Sequence, residues 1–411
     1  MGLPLPLVHH DRPHRGAVFE HGVHPGDAGA VLAHARACGG ARGSRVVRRA
    51  TCESQRLYRP ACGAVGSPDV SVKLGYQIPN FSYGGSVAEI FPAVLAQARS
   101  AEAAGFDSVF VMDHLYQLPQ IGDPDEPMLE AYTLLGAIAA ATERVQLSTL
   151  VTSNTYRNPA LLAKAVTTLD VVSGGRALCA LGAGWFEPEH EGYGYEFGDF
   201  TSRFERLAEA LQIVTAMLRG ERPTFAGKHY QVHDAINEPR LRDDVPVLIG
   251  GSGERKTFAL AVRHADHLNL ACGASELPHK LDAVHQRLAE AGRDPATLEV
   301  SYFAQVILDE DGERARQLLR DQFARRGIDF PALSEAERLA LTDRVFAGNP
   351  VEVSREIKTR VLDHGVDRLV INLVANGHEP GVVELAGATL SPLLPGEACA
   401  STTKPGQRPA D

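Results

Sequence analysis

The stretch PVLIGGSGERKTFALAVRHADHLNLA, residues 246–271, decides the reading of the fold. Its apolar run Val247–Ile249 is short and rich in β-branched side chains, so it reads as a strand. The run enters four small residues, Gly250-Gly251-Ser252-Gly253, and then a helical pattern over residues 254–265. A second apolar run, residues 267–271, follows at once. Strand, glycine turn, helix and strand form a βαβ unit, the connection that two parallel strands need.

The unit recurs in both directions. Short β-branched runs lie at residues 72–78, 107–112, 145–151, 176–182, 299–307 and 367–374. Helical patterns occupy 87–104, 129–142, 158–173, 201–219, 276–292, 311–326 and 379–390, with two more at 334–346 and 350–364. Eight strands alternating with helices are the count of a (β/α)8 TIM barrel with loop insertions. A doubly wound open sheet is the alternative. Against it, the first run continues into PNFSYGGS and lacks the G-x-G-x-x-G turn that seats a dinucleotide.

The ends differ from this body. Residues 1–70 hold nine arginines, no lysine and six of the sixteen histidines, without sustained periodicity. They read as a disordered extension or a mis-assigned start, with a transit peptide, a His/Cys metal site and a basic arm as weaker readings. Residues 395–411 read as a disordered tail, which leaves 71–394 as the working domain. The arm carries +4, so the rest carries −14 of the net −10. A net-acidic body is a poor nucleic-acid binder. No run of apolar residues is long enough to span a membrane. Cys38, Cys52, Cys62, Cys179, Cys272 and Cys399 lack C-x-x-C spacing, which suits a reducing cytoplasm and predicts no metal site.

In such a barrel the chemistry collects where strands end. The second strand ends in VMDHLYQLP, placing Asp113 and His114 at that face. A histidine there can exchange protons near neutral pH, and the adjacent carboxylate can orient it. Equally, Asp113 can cap the loop while His114 bonds a neighbour. Glu130, near the start of the second helix, is the reserve acid–base candidate, set against a helix-capping role. The third strand ends in LVTSNTYRNP, where small polar residues fit either turn chemistry or a ledge for a ring-bearing ligand. The fourth ends in LGAGWFEPEHEGYG, a glycine-rich loop with the sole tryptophan, Trp185, and with Glu187 and Glu189. Gly250, Gly251, Ser252 and Gly253, ahead of a helix expected to start near Glu254, can cradle a phosphate with charge added by Lys256 or Arg255; close packing is the alternative.

Taken in order, KLGYQIPNF, FDSVFVMDHL, LVTSNTYRNPALLAKAVTTLDVVSGGR, LGAGWFEPEHEGYGYEFGDFTSRFERLAEAL, RPTFAGKHYQV and PVLIGGSGERKTFALAVRHAD resemble the luciferase-like flavin and deazaflavin oxidoreductases. They are most similar to the branch that uses coenzyme F420, over residues 72–394. The resemblance implies a tricyclic ring across the barrel mouth, braced at Leu150, Val151 and Thr152 by a bulge that often holds a non-prolyl cis peptide. It implies that Ala183, Gly184 and Trp185 line the cofactor, that Asp113 adjoins it, that Gly250–Gly253 with Lys256 take its phosphate, and that His114 is the catalytic base. Two departures from the branch's sugar dehydrogenases stand out. Trp185 replaces an acidic residue, and Leu118 replaces a tryptophan, which argues against a sugar phosphate as substrate. The expected function is hydride transfer between F420 and a small organic molecule. A reduced-FMN monooxygenase and a non-catalytic cofactor carrier are the alternatives. The expected partners are a small-molecule substrate and a second copy of the chain.

Overall fold

A computed structural model describes residues 72–394; the expectations for 1–70 and 395–411 fall outside the described residues. Eight parallel strands form the barrel: β1 Lys73–Ile78, β2 Ser108–Val111, β3 Gln146–Thr149, β4 Cys179–Gly182, β5 Val247–Gly250, β6 His267–Leu270, β7 Glu299–Leu308 and β8 Arg368–Asn372. Except for β3 and β4, each pairs with its sequence neighbour, and β8 returns to β1 with Leu74 beside Leu369. The seam between β3 and β4 is stitched twice. Leu147 bridges Ala177 below, and the short strand Thr152–Ser153 pairs with Leu181 and Gly182 above. The run expected at 145–151 therefore breaks at Leu150 and Val151, whose peptide bond is cis. The (β/α)8 expectation holds.

Side chains alternate across the barrel wall, as the pleat requires. Val109 and Val111 of β2, like Leu369 and Ile371 of β8, join the large core between wall and helices. Phe110 and Val370 point the other way and meet Leu178, Ala180 and Leu248 inside the barrel. Helix ends follow their local chemistry. Asn158 accepts the Ala160 N–H at 2.9 Å ahead of helix Pro159–Ser173, which ends on left-handed Gly174. Two assignments change. The pattern at 334–346 is helix only over Glu335–Thr342; Val345–Gly348 forms a strand that pairs in parallel with Gln305–Leu308 of β7, burying Phe346. The loop after β4 folds into a short helix, Glu187–Tyr193, that buries Glu189 and His190.

The bottom of the barrel is polar. Arg368, at the start of β8, donates to Glu299 (2.6 Å), Ser108 (2.7 Å) and Gln146 (3.3 Å), and Lys73 donates to Glu299 at 2.5 Å. These residues open their strands, so one ring of strand starts supplies the whole cluster. His267, the first residue of β6, lies 2.7 Å from the Ser301 hydroxyl and 3.7 Å from Glu299. Burial pushes its imidazole down to about 3, with Glu299 opposing and Arg368 and Lys73 adding to the depression. The folded pKa is depressed, so stability is fully present above about pH 6.5, where the unfolded chain is also neutral. Between there and about pH 3 the unfolded chain holds one more proton, and folding should weaken by about 1.4 kcal/mol per pH unit from this group. Urea unfolding across that window should show the slope. His267→Gln should flatten it, and an unchanged slope in the variant would place the pH dependence elsewhere.

Candidate active site

A cleft of about 480 Å³ opens at the C-terminal ends of the strands. Its floor is the top of the barrel filling, where Leu150, Val151 and Phe303 pack on the interior cluster. The bulge is held from below. Gln77 of β1 donates to the Leu150 carbonyl at 3.0 Å, and Asn372 of β8 donates to Gln77 at 3.3 Å. Asn372 is buried and lines the cleft, and its Oδ1 has no partner among the described residues. Thr152 closes the bulge against Thr149 (2.6 Å) and the Tyr132 hydroxyl (2.7 Å).

Asp113 and His114 part company. The Asp113 carboxylate accepts the Ser153 N–H at 2.9 Å and the Arg157 guanidinium at 2.8 Å, tying the β2 end to the β3 bulge. Burial pushes its carboxyl up against the pull of Arg157, while the same pair raises the guanidinium. His114 turns instead to Glu189, with Nδ1 2.9 Å from Oε2. The expectation that Asp113 orients the ring is thus corrected: the adjacent carboxylate is spent on its own brace. Trp185 lies edge-on to His114 at 5.7 Å and is 55 % exposed, so it stands at the mouth instead of filling the core.

Glu130 caps a helix. It precedes Ala131–Ala139, accepts the Thr133 N–H at 2.7 Å and binds Arg157 at 2.5 Å. It does not reach the cleft lining, so its acid–base candidacy falls to the capping role.

The glycines divide by cause. A Cβ on Gly182 would come within 2.8 Å of Val151, and one on Gly250 within 2.7 Å, so these two are bare to admit the Val151 side chain. Gly184 adopts φ +79° and Gly251 φ +135°, conformations that favour glycine. The turn after β5 departs from expectation in detail. Its helix is Thr257–His264, later than Glu254, because residues 254–256 form a separate turn. The Gly251 N–H is spent on the Asn269 carbonyl at 3.0 Å, whereas those of Ser252 and Gly253 donate to nothing among the described residues. The Ser252 hydroxyl points away, accepting the Ala271 N–H at 3.0 Å. Lys256 sits over the rings of Phe200 (4.9 Å) and Phe204 (5.3 Å), both of which line the cleft.

Of the expected residues, Asp113, His114, Leu150, Val151, Thr152, Ala183, Gly184, Trp185, Gly250 and Gly251 share the cleft; Ser252, Gly253, Lys256 and Glu130 do not line it. Sequence reading missed Tyr156, Gln77 and Asn372 as site residues and left Glu189 without a role. Glu189 and His190 are buried within an otherwise exposed helix, and nothing in EPEHEGYG sets them apart from the other charged residues around them.

Residues 72–394 match the family described as luciferase-like monooxygenase. An F420-dependent glucose-6-phosphate dehydrogenase of Nakamurella multipartita is 33% identical over 319 residues, covering 73% of this chain and 91% of that protein. A pyrimidine monooxygenase of Pseudomonas savastanoi pv. phaseolicola is 28% identical over 254 residues, covering 61% of this chain and 69% of its own length. Among solved structures, an F420-dependent secondary alcohol dehydrogenase in complex with an F420-acetone adduct superposes with a TM-score of 0.65 at 24% identity, covering 79% of this chain and 99% of that one.

Proposed function

The chain belongs to the luciferase-like monooxygenase family, and we infer that it is a coenzyme F420-dependent oxidoreductase acting on a small organic substrate, with His114 as the group that exchanges the substrate's proton. The F420-dependent dehydrogenases to which it is similar across most of their length support the cofactor. One observation carries the site: an apolar slot with bare backbone walls, and at its edge the ring of His114, a side chain able to exchange a proton.

The residues present fit the cofactor. Asn372 Oδ1, buried in the cleft floor and without a donor among the described residues, suits a ring N–H of a deazaflavin. Leu150, Val151 and Ala183 offer an apolar bed for the ring face, and the free N–H groups of Ser252 and Gly253 suit its phosphate. The chemistry the cofactor supplies when bound is hydride exchange at the deazaflavin C5. The chain itself orients the ring on the bulge, excludes water with Trp185 and Phe200, and takes or returns a proton at His114. The working domain in this reading is residues 71–394. A homodimer in the cytoplasm completes it; Leu161, Val171 and Val172, exposed on one helix, support the second copy, and the absence of C-x-x-C spacing suits the compartment.

Separate titration with F420 and with FMN tests the cofactor. Trp185 is the only tryptophan and stands at the cleft, so its fluorescence reports both. F420 should bind at least tenfold more tightly, about 1.4 kcal/mol. Tighter FMN binding, with oxygen consumed on adding reduced FMN, would favour the monooxygenase reading that the pyrimidine monooxygenase relative suggests.

A further inference from the structure

We propose that Glu189 is the positioning residue of His114, holding the ring as the Nδ1–H tautomer with Nε2 presented to the cleft. The inference rests on the reading of His114 as the proton-exchanging group and supplies what that reading lacks, a reason for one ring nitrogen to do the work.

Four donors converge on this one carboxylate. Oε1 accepts the backbone N–H of Leu115 and that of Tyr116, the latter at 2.9 Å. Oε2 accepts the Tyr156 hydroxyl and lies 2.9 Å from His114 Nδ1. Residues 114, 115 and 116 therefore all hang on a side chain 73 to 75 positions further along. Glu189 is fully buried, and no surface water competes for its oxygens.

Burial alone would push the Glu189 carboxyl up, yet the hydrogen bonds from His114, Tyr156 and the Tyr116 N–H outweigh it and hold the carboxyl below its ordinary value. It stays ionised through the neutral range. An ionised carboxylate can only accept, so the hydrogen in its contact with His114 sits on Nδ1. The neutral ring then carries its lone pair on Nε2, which has no partner among the described residues, and His114 lines the cleft. A second carboxylate cannot substitute, because that of Asp113 is committed to Ser153 and Arg157. Tyr156, at the β3 end, completes the clamp, so the loops after β2, β3 and β4 share one anion.

The test needs no substrate. Long-range proton–nitrogen correlation spectra of the full chain labelled with 15N-histidine report each ring's tautomer, and His114 is assigned by its loss in His114→Ala. The wild-type ring should show hydrogen on Nδ1. Glu189→Gln should shift it to a mixture or to Nε2–H, Glu189→Asp should restore it in part, and Tyr156→Phe should leave it unchanged. Hydrogen on Nε2 in the wild type, or an unaltered His114 signal in Glu189→Gln, overturns the assignment. Should Glu189→Gln not fold, the wild-type spectrum and Glu189→Asp still decide. With a turned-over substrate, Glu189→Gln should lower kcat about 10- to 100-fold, the usual worth of an orienting partner, and leave KM within about twofold. A protein that shows the Nδ1–H ring yet binds no F420 would sink the cofactor reading and leave Glu189 in its role.

Discussion

Replacing His114 with alanine should lower turnover about 10²- to 10⁴-fold, the range for loss of a general acid–base, while F420 affinity stays within about twofold. The ring stands at the edge of the cleft, and the loop behind it is held by the backbone N–H groups of Leu115 and Tyr116, which alanine leaves in place on Glu189. Binding and chemistry should therefore separate. If affinity, melting temperature and turnover fall together, His114 is a structural residue. Glu130→Ala is the comparison, since it removes a carboxylate from the same barrel face but outside the cleft. It should leave kcat unchanged and cost about 1 kcal/mol through the lost helix cap. A turnover loss in Glu130→Ala with His114→Ala still active would transfer the proton-exchanging role to the glutamate.

Asp113→Ala should be the most destabilising single change at the site. It leaves the Arg157 guanidinium, whose side chain is only 14% exposed, with Glu130 as its one remaining carboxylate, and it orphans the Ser153 N–H. Removing one partner of a buried pair costs about 3–5 kcal/mol. A fall in melting temperature of about 4–7 °C follows. Asp113→Ala combined with Arg157→Met should recover part of the loss, because the uncompensated charge is gone. A single variant that melts within about 1 °C of the parent would show that Arg157 finds another partner and that the bulge needs no such brace. F420 affinity should drop in the single variant, since Ser153 follows the bulge on which the ring is proposed to rest.

Local chemistry made most of the scaffold legible. The β-branched runs fall on the eight barrel strands because each is buried on both faces and needs no polar alternation. The Asn158 cap and Gly174 fixed one helix to within a residue. Where a segment's role depends on a distant neighbour, the sequence was silent. Val345 and Phe346 pair with β7 only because the barrel brings Gln305 and Val306 alongside, so a helical continuation looked equally good. Glu254 to Lys256 could have extended the helix, and Thr257 begins it instead. Site residues followed the same division. Those at strand ends were found, since position in a strand is a local property. Glu189, 75 residues from the histidine it meets, and Gln77 and Asn372, joined across the first and last strands, were brought together by closure of the barrel alone.

Between the His267 cluster and the cleft lies the filling of Phe110, Leu178, Ala180, Leu248 and Val370. The layer is bypassed at one seam. His267 lies 2.7 Å from the Ser301 hydroxyl, Asn269 donates to the same hydroxyl at 2.7 Å, and Asn269 lines the cleft. A hydrogen-bonded thread along β6 and β7 therefore ties the basal charges to the mouth beside the apolar filling. Acid tolerance of the fold and the reaction's proton chemistry are consequently linked quantities in this protein: selection, or an engineer, that retunes the basal residues for a harsher medium also pulls on a residue of the cleft.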